Sequence, residues 1–350
     1  MRKTRAFLLG EKGQTNYYHV VSRTAGKYRL FEDDEKEAFR YILMRQLKFS
    51  GLRALAWCFM GNHFHLLLEV PDKEMATQDW TDEDYIKRLN VLRREWSTHQ
   101  LLGEVEAHWE NGNDKRITEI AVAVKERLFD LSMFMKELKM KMTLAFNKAH
   151  DREGALWQGR FKSVLLESGD AVRTVAAYID LNPVRAGIVS EPENYRWCSY
   201  AAAVAGVKSA RQALTFAVVG RQRVAWKKVE ADYRCLLYGS GDERLGGETP
   251  EGSKPWKGGF TQQQIEKVWH AGGKLPLAAA LRCRVRYFSD GAVLGGQNYV
   301  DNFFNHNREH FSERRKDGGR KMRGAQWGDL RVLRDLGTGM LKSKAQSPDQ

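Results

Sequence analysis

Cysteine is scarce in this sequence and never occurs in close pairs. The chain has four cysteines in 350 residues, and none of them forms a C-x-x-C motif. This spacing argues against a zinc ribbon and against a disulfide framework. We therefore expect free thiols in a reducing compartment, which points to a cytoplasmic protein.

Long apolar segments are missing as well. Residues 1–10 include basic side chains, but their apolar run is too short for a signal peptide. No other stretch is long enough to span a bilayer, and no internal repeat is visible. These absences favour a globular protein without membrane association.

Apolar and aromatic residues are plentiful enough for a folded core. Hydrophobic residues make up 42% of the chain and aromatic residues 11%, so the chain can bury one large core and a second, smaller one. Lys and Arg outnumber Asp and Glu by 57 to 44, which gives a net charge of +13. A basic protein favours acidic partners, and nucleic acid is the first class to consider.

One stretch carries most of the chemical signal. Two apolar runs flank Gly61 and Asn62, residue types that tolerate the backbone of a short hairpin turn. Because side chains alternate along a strand, His63 and His65 lie on one face and Phe64 on the other. Two neighbouring histidines on a rigid strand make half of a metal site, although so short a pattern also occurs without metal.

The elements around this hairpin predict the fold. We expect strands over residues 17–23, 53–59 and 63–70, and a helix over residues 33–49 with acidic residues in its first turn. The order strand, helix, strand, strand begins a ferredoxin-like sheet, in which the first and third strands are neighbours at the centre. The predicted class is α+β: an antiparallel ferredoxin-like sheet with helices on one face, plus a small C-terminal unit.

Composition divides the rest of the chain. Charged, helix-compatible sequence interrupts the first unit, Gly-rich sequence marks a linker, and the last residues are rich in Gly, Arg and Lys. The predicted organisation is a main domain over 1–205 with a helical insertion over about 75–127, a helical segment and linker over 206–258, an accessory unit over 259–311, and a basic, disordered tail over 312–350.

The accessory unit contains a basic segment of uncertain role. Arg282, Arg284 and Arg286 alternate with apolar residues. If the segment is a strand, the three guanidinium groups line one face, at a spacing near the repeat of phosphates along a nucleic-acid strand. A DNA-binding strand and a solvated face in a small stability or oligomerisation module are both compatible with this pattern.

A second motif lies far along the chain, at residues 176–187. Here Tyr178 and Asn182 are four residues apart on a predicted helix that Pro183 ends, so both side chains face the same way. Together with the Gly-Asn-His-Phe-His segment, this motif resembles the single-tyrosine HUH transposases, the insertion-sequence 200-like family, and most closely their REP-associated branch. The resemblance covers about residues 17–200.

Two positions depart from the pattern of that family. Gly61 stands where relatives often have proline, which changes only the stiffness of the turn. Asp180 stands where relatives often have His or Tyr. Since Asp180 is two residues from Tyr178, we expect it to point away from the shared face and do not predict it as a ligand.

The resemblance implies an enzyme with the HUH endonuclease fold. It implies that His63, His65 and Asn182 hold a divalent ion, Mg²⁺ or Mn²⁺, and that Tyr178 is the nucleophile; two imidazoles alone would also suit zinc. The implied reaction cleaves and rejoins single-stranded DNA at REP-like hairpins through a 5′-phosphotyrosine intermediate. The implied partner is single-stranded or hairpin DNA, and we expect a monomer or a homodimer.

Two alternative functions are open. One is a replication or conjugation initiator of the wider HUH class, which nicks a single origin. The other is a non-catalytic regulator that binds hairpin DNA. The Asn-Pro-Val-Arg-Ala-Gly sequence that begins at Asn182 favours the transposase branch, and the presence of all four reactive residues argues against the regulator.

Residues near the second motif are candidates for DNA contacts. Basic side chains can neutralise phosphates and an indole can stack on an unpaired base, but each residue could equally be a surface charge or part of the core. The candidates are Trp157, Arg160, Lys162, Arg173 and Arg185. On the first strand, His19 is either close to the metal or an ordinary hydrogen-bonded core histidine.

Overall fold

The computed structural model describes residues 12–112, 114–220, 224–238, 277–282, 287–311, 313–323 and 325–334. Within these segments, seven strands form one sheet. In chain order they are β1 (Asn16–Arg23), β2 (Arg53–Met60), β3 (His63–Val70), β4 (Lys162–Leu166), β5 (Val293–Gly295), β6 (Arg320–Lys321) and β7 (Arg331–Leu333).

The first four strands have the ferredoxin-like order β2-β3-β1-β4. β1 lies at the centre and runs antiparallel to both β3 and β4. Its register sets Val21 opposite His65 and His19 opposite Leu67. The predicted α+β class, with the first and third strands side by side, is confirmed.

A two-residue turn of Gly61 and Asn62 joins β2 to β3. The carbonyl groups of these two residues accept hydrogen bonds from the backbone N–H groups of Phe31 and Thr24, each 3.0 Å long. The bonds tie the turn to the segment that follows β1. The strand that begins at His63 therefore starts from a fixed point.

Helices surround the sheet, and none in the described segments is long and apolar enough to cross a membrane. In chain order the helices are α1 (Asp33–Ser50), α2 (Lys73–Ala76), α3 (Asp82–Leu89), α4 (Trp96–Glu110), α5 (Asp114–Arg127), α6 (Leu131–Ala149), α7 (Asp170–Asp180), α8 (Asn182–Arg185), α9 (Ser199–Val204), α10 (Lys208–Val219), α11 (Trp226–Tyr238), α12 (Leu277–Arg282), α13 (Tyr287–Asp290) and α14 (Gln297–His306).

Helix α1 shows how local sequence sets these bounds. At its start, Glu32 and Glu35 form a capping box that satisfies two backbone N–H groups. At its end, Gly51 adopts a φ of 78°, a left-handed conformation that costs glycine little. The helix therefore begins and ends close to where its acidic first turn and its terminal glycine predict.

Helices cover both faces of the sheet, whereas we predicted helices on one face. On one side, Phe39 of α1 packs on Phe64 of β3, with ring centroids 4.7 Å apart. On the other side, Tyr178 of α7 faces His65, with ring centroids 6.2 Å apart. Neighbouring residues of a strand point to opposite faces, so these contacts lie on opposite sides. The residues after β4 supply the second layer, since α7 and α10 pack against β2.

The segment between β3 and α6 consists of helices α2 to α5. Its apolar residues pack into a cluster of their own, separate from the core around the sheet. Phe49, in the last turn of α1, joins this cluster and connects it to the main layer of helices. The insertion is thus folded around a second, smaller core.

Residues near the C-terminus extend the main sheet. β5 pairs in parallel with β4, and β7 and β6 continue the sheet beyond it. Val332 and Leu333 are 1% and 0% exposed, although we predicted a disordered tail from residue 312. That prediction is wrong for the described part of this region, because its apolar residues complete the sheet. Residues 335–350 lie outside the described residues.

The first of the three alternating arginines is helical, so the DNA-binding strand considered above does not begin there. Arg282 ends helix α12, while Arg284 and Arg286 lie outside the described residues, as does the Gly-rich part of the predicted linker. Cys58, Cys198 and Cys235 are free thiols, as expected.

Candidate active site

The two histidines of β3 share one face of the sheet. The rings of His63 and His65 lie edge to face, with their centroids 5.1 Å apart and an angle of 75° between their planes. Alternation along the strand places Phe64 between them on the opposite face, where its ring packs on Trp157. The predicted arrangement of the pair is therefore present.

His65 is held by a second buried histidine. Its Nδ1 lies 2.8 Å from Nε2 of His19 on β1, and Nδ1 of His19 lies 2.6 Å from the carbonyl oxygen of Phe288 in α13. Burial lowers the pKa of His19 to about 4. Burial, together with the nearby rings of His19 and His63, lowers the pKa of His65 well below its usual range. Both rings are therefore neutral at physiological pH.

His63 has a partner from the turn. Its Nδ1 lies 2.6 Å from Oδ1 of Asn62, and Nδ2 of Asn62 donates a hydrogen bond of 2.8 Å to the carbonyl oxygen of Lys27. That carbonyl can only accept, so it fixes which end of the Asn62 amide faces the histidine. The turn thus orients the imidazole that follows it.

Tyr178 lies against the histidine face. Its ring centroid is 6.2 Å from that of His65 and 6.1 Å from that of His19. Phe288 packs edge-on against it at 4.9 Å, and the guanidinium carbon of Arg185 lies 3.8 Å from its centroid. The structure brings the predicted nucleophile and the predicted metal ligand together, and it covers the tyrosine, which is 4% exposed.

Asn182 follows Tyr178 by one turn, but the two residues are on separate helices. α7 ends at Asp180, and the short α8 starts at Asn182 with Pro183 in its first turn. We predicted that Pro183 ends the helix of Tyr178; instead it sits at the start of the next one, where its fixed φ and missing N–H are tolerated. The Asn182 side chain is buried, and its Nδ2 has no hydrogen-bond partner among the described residues.

Asp180 points away from the histidines, as predicted. Its carboxylate accepts hydrogen bonds from the Ser199 hydroxyl, the Tyr200 backbone and the Tyr233 hydroxyl, at 2.7, 3.0 and 2.7 Å. Burial raises the pKa of Asp180 to about 6, against the opposing effect of these bonds. The residue anchors α7 to α9 and α11 and is not placed to bind a metal beside His65.

The predicted donor set for a cation consists of two imidazoles and one amide. Among the described residues, no group of three or more His, Cys, Asp or Glu side chains is arranged to hold a metal. A set of His63, His65 and Asn182 contains only two residues of those types and is compatible with that finding. A cation would bind the Asn182 side chain through its amide oxygen, whereas the atom without a hydrogen-bond partner among the described residues is the amide nitrogen.

The predicted DNA contacts separate into different classes. Trp157 is a core residue, because its ring packs on Phe64 and its Nε1 donates to the Lys139 carbonyl oxygen at 3.0 Å. It lies on the face opposite the histidines, so its predicted role in base stacking is wrong. Lys162 forms an ion pair of 2.7 Å with Asp290.

The three arginines have different surroundings. Arg160 is exposed, and Arg173 is partly buried beside a cavity of about 540 Å³ that Glu167 and Asp329 also line. Arg185 lies at the site itself, where it covers Tyr178 and donates to the Leu281 carbonyl oxygen at 2.9 Å. Of the predicted DNA contacts, Arg185 alone touches the proposed nucleophile.

Two contributors to the site were not identified as such from the sequence. Asn62 was assigned only to the turn, and Phe288 was not singled out at all. His19 was left open between a metal neighbour and a core histidine, and the structure shows that it is buried and bonded to His65. The alternation of β1 was the signal for His19; no pattern in the sequence indicates Phe288.

Comparison with known proteins finds a family match for the first part of the site. Residues 13–79, which include His63 and His65 but not Tyr178, match the family model described as Transposase IS200 like. A similar solved structure is described as a REP-associated tyrosine transposase bound to a REP hairpin; it has 16% identity and a TM-score of 0.35, over 59% of this chain and 85% of that one. No curated protein matches the chain. The family match confirms the predicted resemblance to the IS200-like transposases over the segment that contains the first motif, and the second motif lies outside that segment.

Proposed function

We propose that this protein is a metal-dependent, single-tyrosine endonuclease of the transposase type, which cleaves and rejoins single-stranded DNA at hairpin sequences. The observation that carries the proposal is the contact between Tyr178 and His65, whose ring centroids are 6.2 Å apart on one face of the sheet. The family match over residues 13–79 and the net charge of +13 support a DNA substrate.

The proposed chemistry is a transesterification. The Tyr178 hydroxyl oxygen attacks a DNA phosphorus and forms a new P–O bond, while the bond from phosphorus to the 3′ oxygen breaks. The phenol proton passes to solvent and the leaving 3′ oxygen gains one. The 5′-phosphotyrosine retains the energy of the broken bond, so attack by a 3′-hydroxyl can rejoin strands without ATP. Arg185, 3.8 Å from the tyrosine ring, places a positive charge beside the reacting phosphate.

His63, His65 and Asn182 are the residues that would hold the divalent ion. When bound, the ion polarises the scissile phosphate and offsets its growing charge. Two imidazoles suit zinc as well, whereas an amide oxygen and phosphate oxygens suit Mg²⁺ or Mn²⁺. The resemblance to the IS200-like family favours Mg²⁺ or Mn²⁺ over zinc as the bound ion.

The burial of Tyr178 favours a second candidate. A tyrosine that is 4% exposed does not reach a phosphate until Phe288 or Arg185 moves from its ring. A protein that keeps this cover in place binds hairpin DNA without cutting it. The second candidate is therefore a non-catalytic regulator that binds hairpins.

One experiment separates the two functions. The protein is incubated with Mg²⁺ or Mn²⁺ and single-stranded hairpins from its own genome, and covalent adducts are resolved on denaturing gels. A 3′ label enters the adduct, whereas a 5′ label leaves with the free 3′-hydroxyl fragment. We expect Tyr178→Phe to abolish the adduct and to keep hairpin affinity within a few-fold, because only the hydroxyl is lost.

Tyr200→Phe is the matched control. Tyr200 is also buried, and its hydroxyl has no partner among the described residues. The adduct yield of Tyr200→Phe should therefore equal that of the unmodified protein. An adduct that survives in Tyr178→Phe would overturn the proposed nucleophile. Tight hairpin binding without any adduct would favour the regulator.

A further inference from the structure

The two histidines of β3 each form a hydrogen bond within the protein through the same ring atom, Nδ1. Nδ1 of His65 bonds to Nε2 of His19 at 2.8 Å, and Nδ1 of His63 bonds to Oδ1 of Asn62 at 2.6 Å. Each of these partners is in turn bonded to a backbone carbonyl oxygen, that of Phe288 or that of Lys27. The site therefore contains two short hydrogen-bonded chains of similar design.

The proton positions in the His19 chain follow from its carbonyl end. The Phe288 carbonyl only accepts, so Nδ1 of His19 carries a proton and donates it. A neutral imidazole carries one ring proton, so with Nδ1 of His19 donating to the carbonyl, its Nε2 accepts from His65. Nδ1 of His65 is then the donor, and Nε2 of His65 is left without a proton. A neutral imidazole binds a metal through that unprotonated nitrogen.

The ring geometry fits this assignment. The planes of His19 and His65 differ by 16°, and their centroids are 5.1 Å apart. That separation is close to the largest that two imidazole rings can have when their nitrogens are 2.8 Å apart. The two rings are therefore nearly coplanar and meet edge to edge, with the N–H of one directed along the lone pair of the other.

We propose that His19 is a positioning residue for the metal site: anchored by the Phe288 carbonyl, it holds His65 in the tautomer that presents Nε2 as a ligand. The proposal rests on the proposed function insofar as it assigns His65 to a metal. It also makes α13, from the C-terminal part of the chain, a structural component of a site built on β1 and β3. Partners of this kind typically change metal affinity about 10–100-fold when removed.

Three variants test the proposal. His19→Phe keeps a ring of similar shape but has no nitrogen to accept from His65. His19→Gln again offers an N–H donor for the Phe288 carbonyl oxygen and an oxygen acceptor for His65. Val21→Ala is the matched control, because Val21 is buried on the same strand directly opposite His65 but takes no part in the hydrogen bonds.

The primary measurement needs neither metal nor DNA. With ¹⁵N-labelled histidine, the nitrogen shifts and couplings of the nine imidazoles report their tautomers in the metal-free protein, and His65→Ala and His63→Ala identify the two relevant signals. We expect His65 to carry its proton on Nδ1 in the unmodified protein, in Val21→Ala and in His19→Gln. In His19→Phe, the proton should shift to Nε2, while the signals of His63 stay unchanged.

The second measurement is Mn²⁺ affinity by titration. His19→Phe should bind Mn²⁺ about 10–100-fold more weakly than the unmodified protein, and His19→Gln should be within a few-fold of it. A His65 tautomer that is the same in His19→Phe and in the unmodified protein would overturn the proposal. Equal losses of Mn²⁺ affinity in His19→Phe and His19→Gln would also overturn it. A shifted tautomer in a protein that binds no Mn²⁺ would support the role of His19 and contradict the proposed function instead.

Discussion

Phe64 and His65 are neighbours on opposite faces of β3, with similar burial and opposite chemical character. On one face, Phe64 is 1% exposed and packs on Phe39 and Trp157, with centroids 4.7 and 5.4 Å away. On the other face, His65 is 3% exposed and bonds to His19. Burial alone therefore does not distinguish an apolar core side chain from a residue of the proposed site. The difference is that each buried nitrogen of the second face needs a defined partner.

This difference changes what each face contributes to the protein. The aromatic face stabilises the fold through apolar area removed from water, to which many side chains contribute. The histidine face stabilises it little, because a hydrogen bond made in the fold replaces one made to water. Its partners instead fix the orientation and protonation of a few nitrogens. Substitutions on the two faces should therefore affect different measurements.

Substituting one residue on each face gives the largest expected effects. His65→Ala removes a proposed metal donor, so adduct formation with the 3′-labelled hairpin should fall by at least about 100-fold, the upper end of the loss from an indirect partner. Phe64→Ala leaves a cavity, so the free energy of unfolding should fall by about 3–5 kcal/mol. Adduct assays and urea unfolding on both variants provide the four values.

The comparison fails if the two effects are not separable. His65→Ala leaves Nε2 of His19 without its donor and should cost about 1–3 kcal/mol, less than the loss in Phe64→Ala. If His65→Ala were the more destabilised variant, the histidine face would be a structural core in its own right. Adduct yields should be measured at a temperature where both variants are folded.

Asp180 is another buried polar residue on the histidine side of the sheet. Its expected effect on the pH dependence of stability is intermediate in size among the predictions made here. Burial raises the pKa of Asp180 to about 6 from its ordinary value of 3.8. Between these values the folded protein holds a proton that the unfolded chain has lost. Its contribution to stability is therefore complete below about pH 4 and is lost as the pH rises through about 6. A shift of this size corresponds to about 3 kcal/mol.

Asp180→Asn checks this prediction. The amide cannot ionise, so the variant should lack the loss of stability between pH 4 and pH 7 that the unmodified protein shows. Urea unfolding of both proteins across that range gives the difference, and groups elsewhere cancel in the comparison. A difference that does not change with pH would mean that the three hydrogen bonds to the carboxylate outweigh its burial.

The sequence predicted those parts of the site that depend on short-range regularity. Alternation along β3 placed His63 and His65 on one face, and the turn at Gly61 and Asn62 set where the strand begins. The spacing of Tyr178 within its motif placed it on a helix that returns to the histidine face. Each of these predictions depends only on the repeat of side chains along one strand or helix and on one contact between the sheet and a helix.

The sequence did not predict contacts that depend on long-range topology. The Phe288 carbonyl is 269 residues from His19, and no periodicity relates the two. Trp157 was misassigned because an aromatic residue shortly before basic residues has the same pattern whether it faces solvent or the core. The strand at Val332 was missed because it has only two apolar residues, Val332 and Leu333, which are too few to predict a strand.

The smallest expected effect concerns two basic residues at the start of β4, Arg160 and Lys162, which were both predicted to contact DNA. Arg160 is exposed, whereas Lys162 pairs with Asp290 at 2.7 Å. The carboxylate already offsets the charge of Lys162, so that residue gains less from a DNA phosphate than Arg160 does. The ion pair is itself exposed and should contribute at most about 1 kcal/mol to stability.

Hairpin binding at increasing salt distinguishes the two residues. Each phosphate contact on a single strand contributes about 0.7 to the slope of log affinity against log salt. Arg160→Gln should therefore lower the slope by about 0.7 and weaken binding by a few-fold. Lys162→Gln should lower the slope by less, because Asp290 had already partly neutralised the charge that this substitution removes. Equal changes in slope would show that DNA displaces Asp290 from Lys162 and that both residues bind phosphate. No change in either variant would place the DNA backbone away from the start of β4.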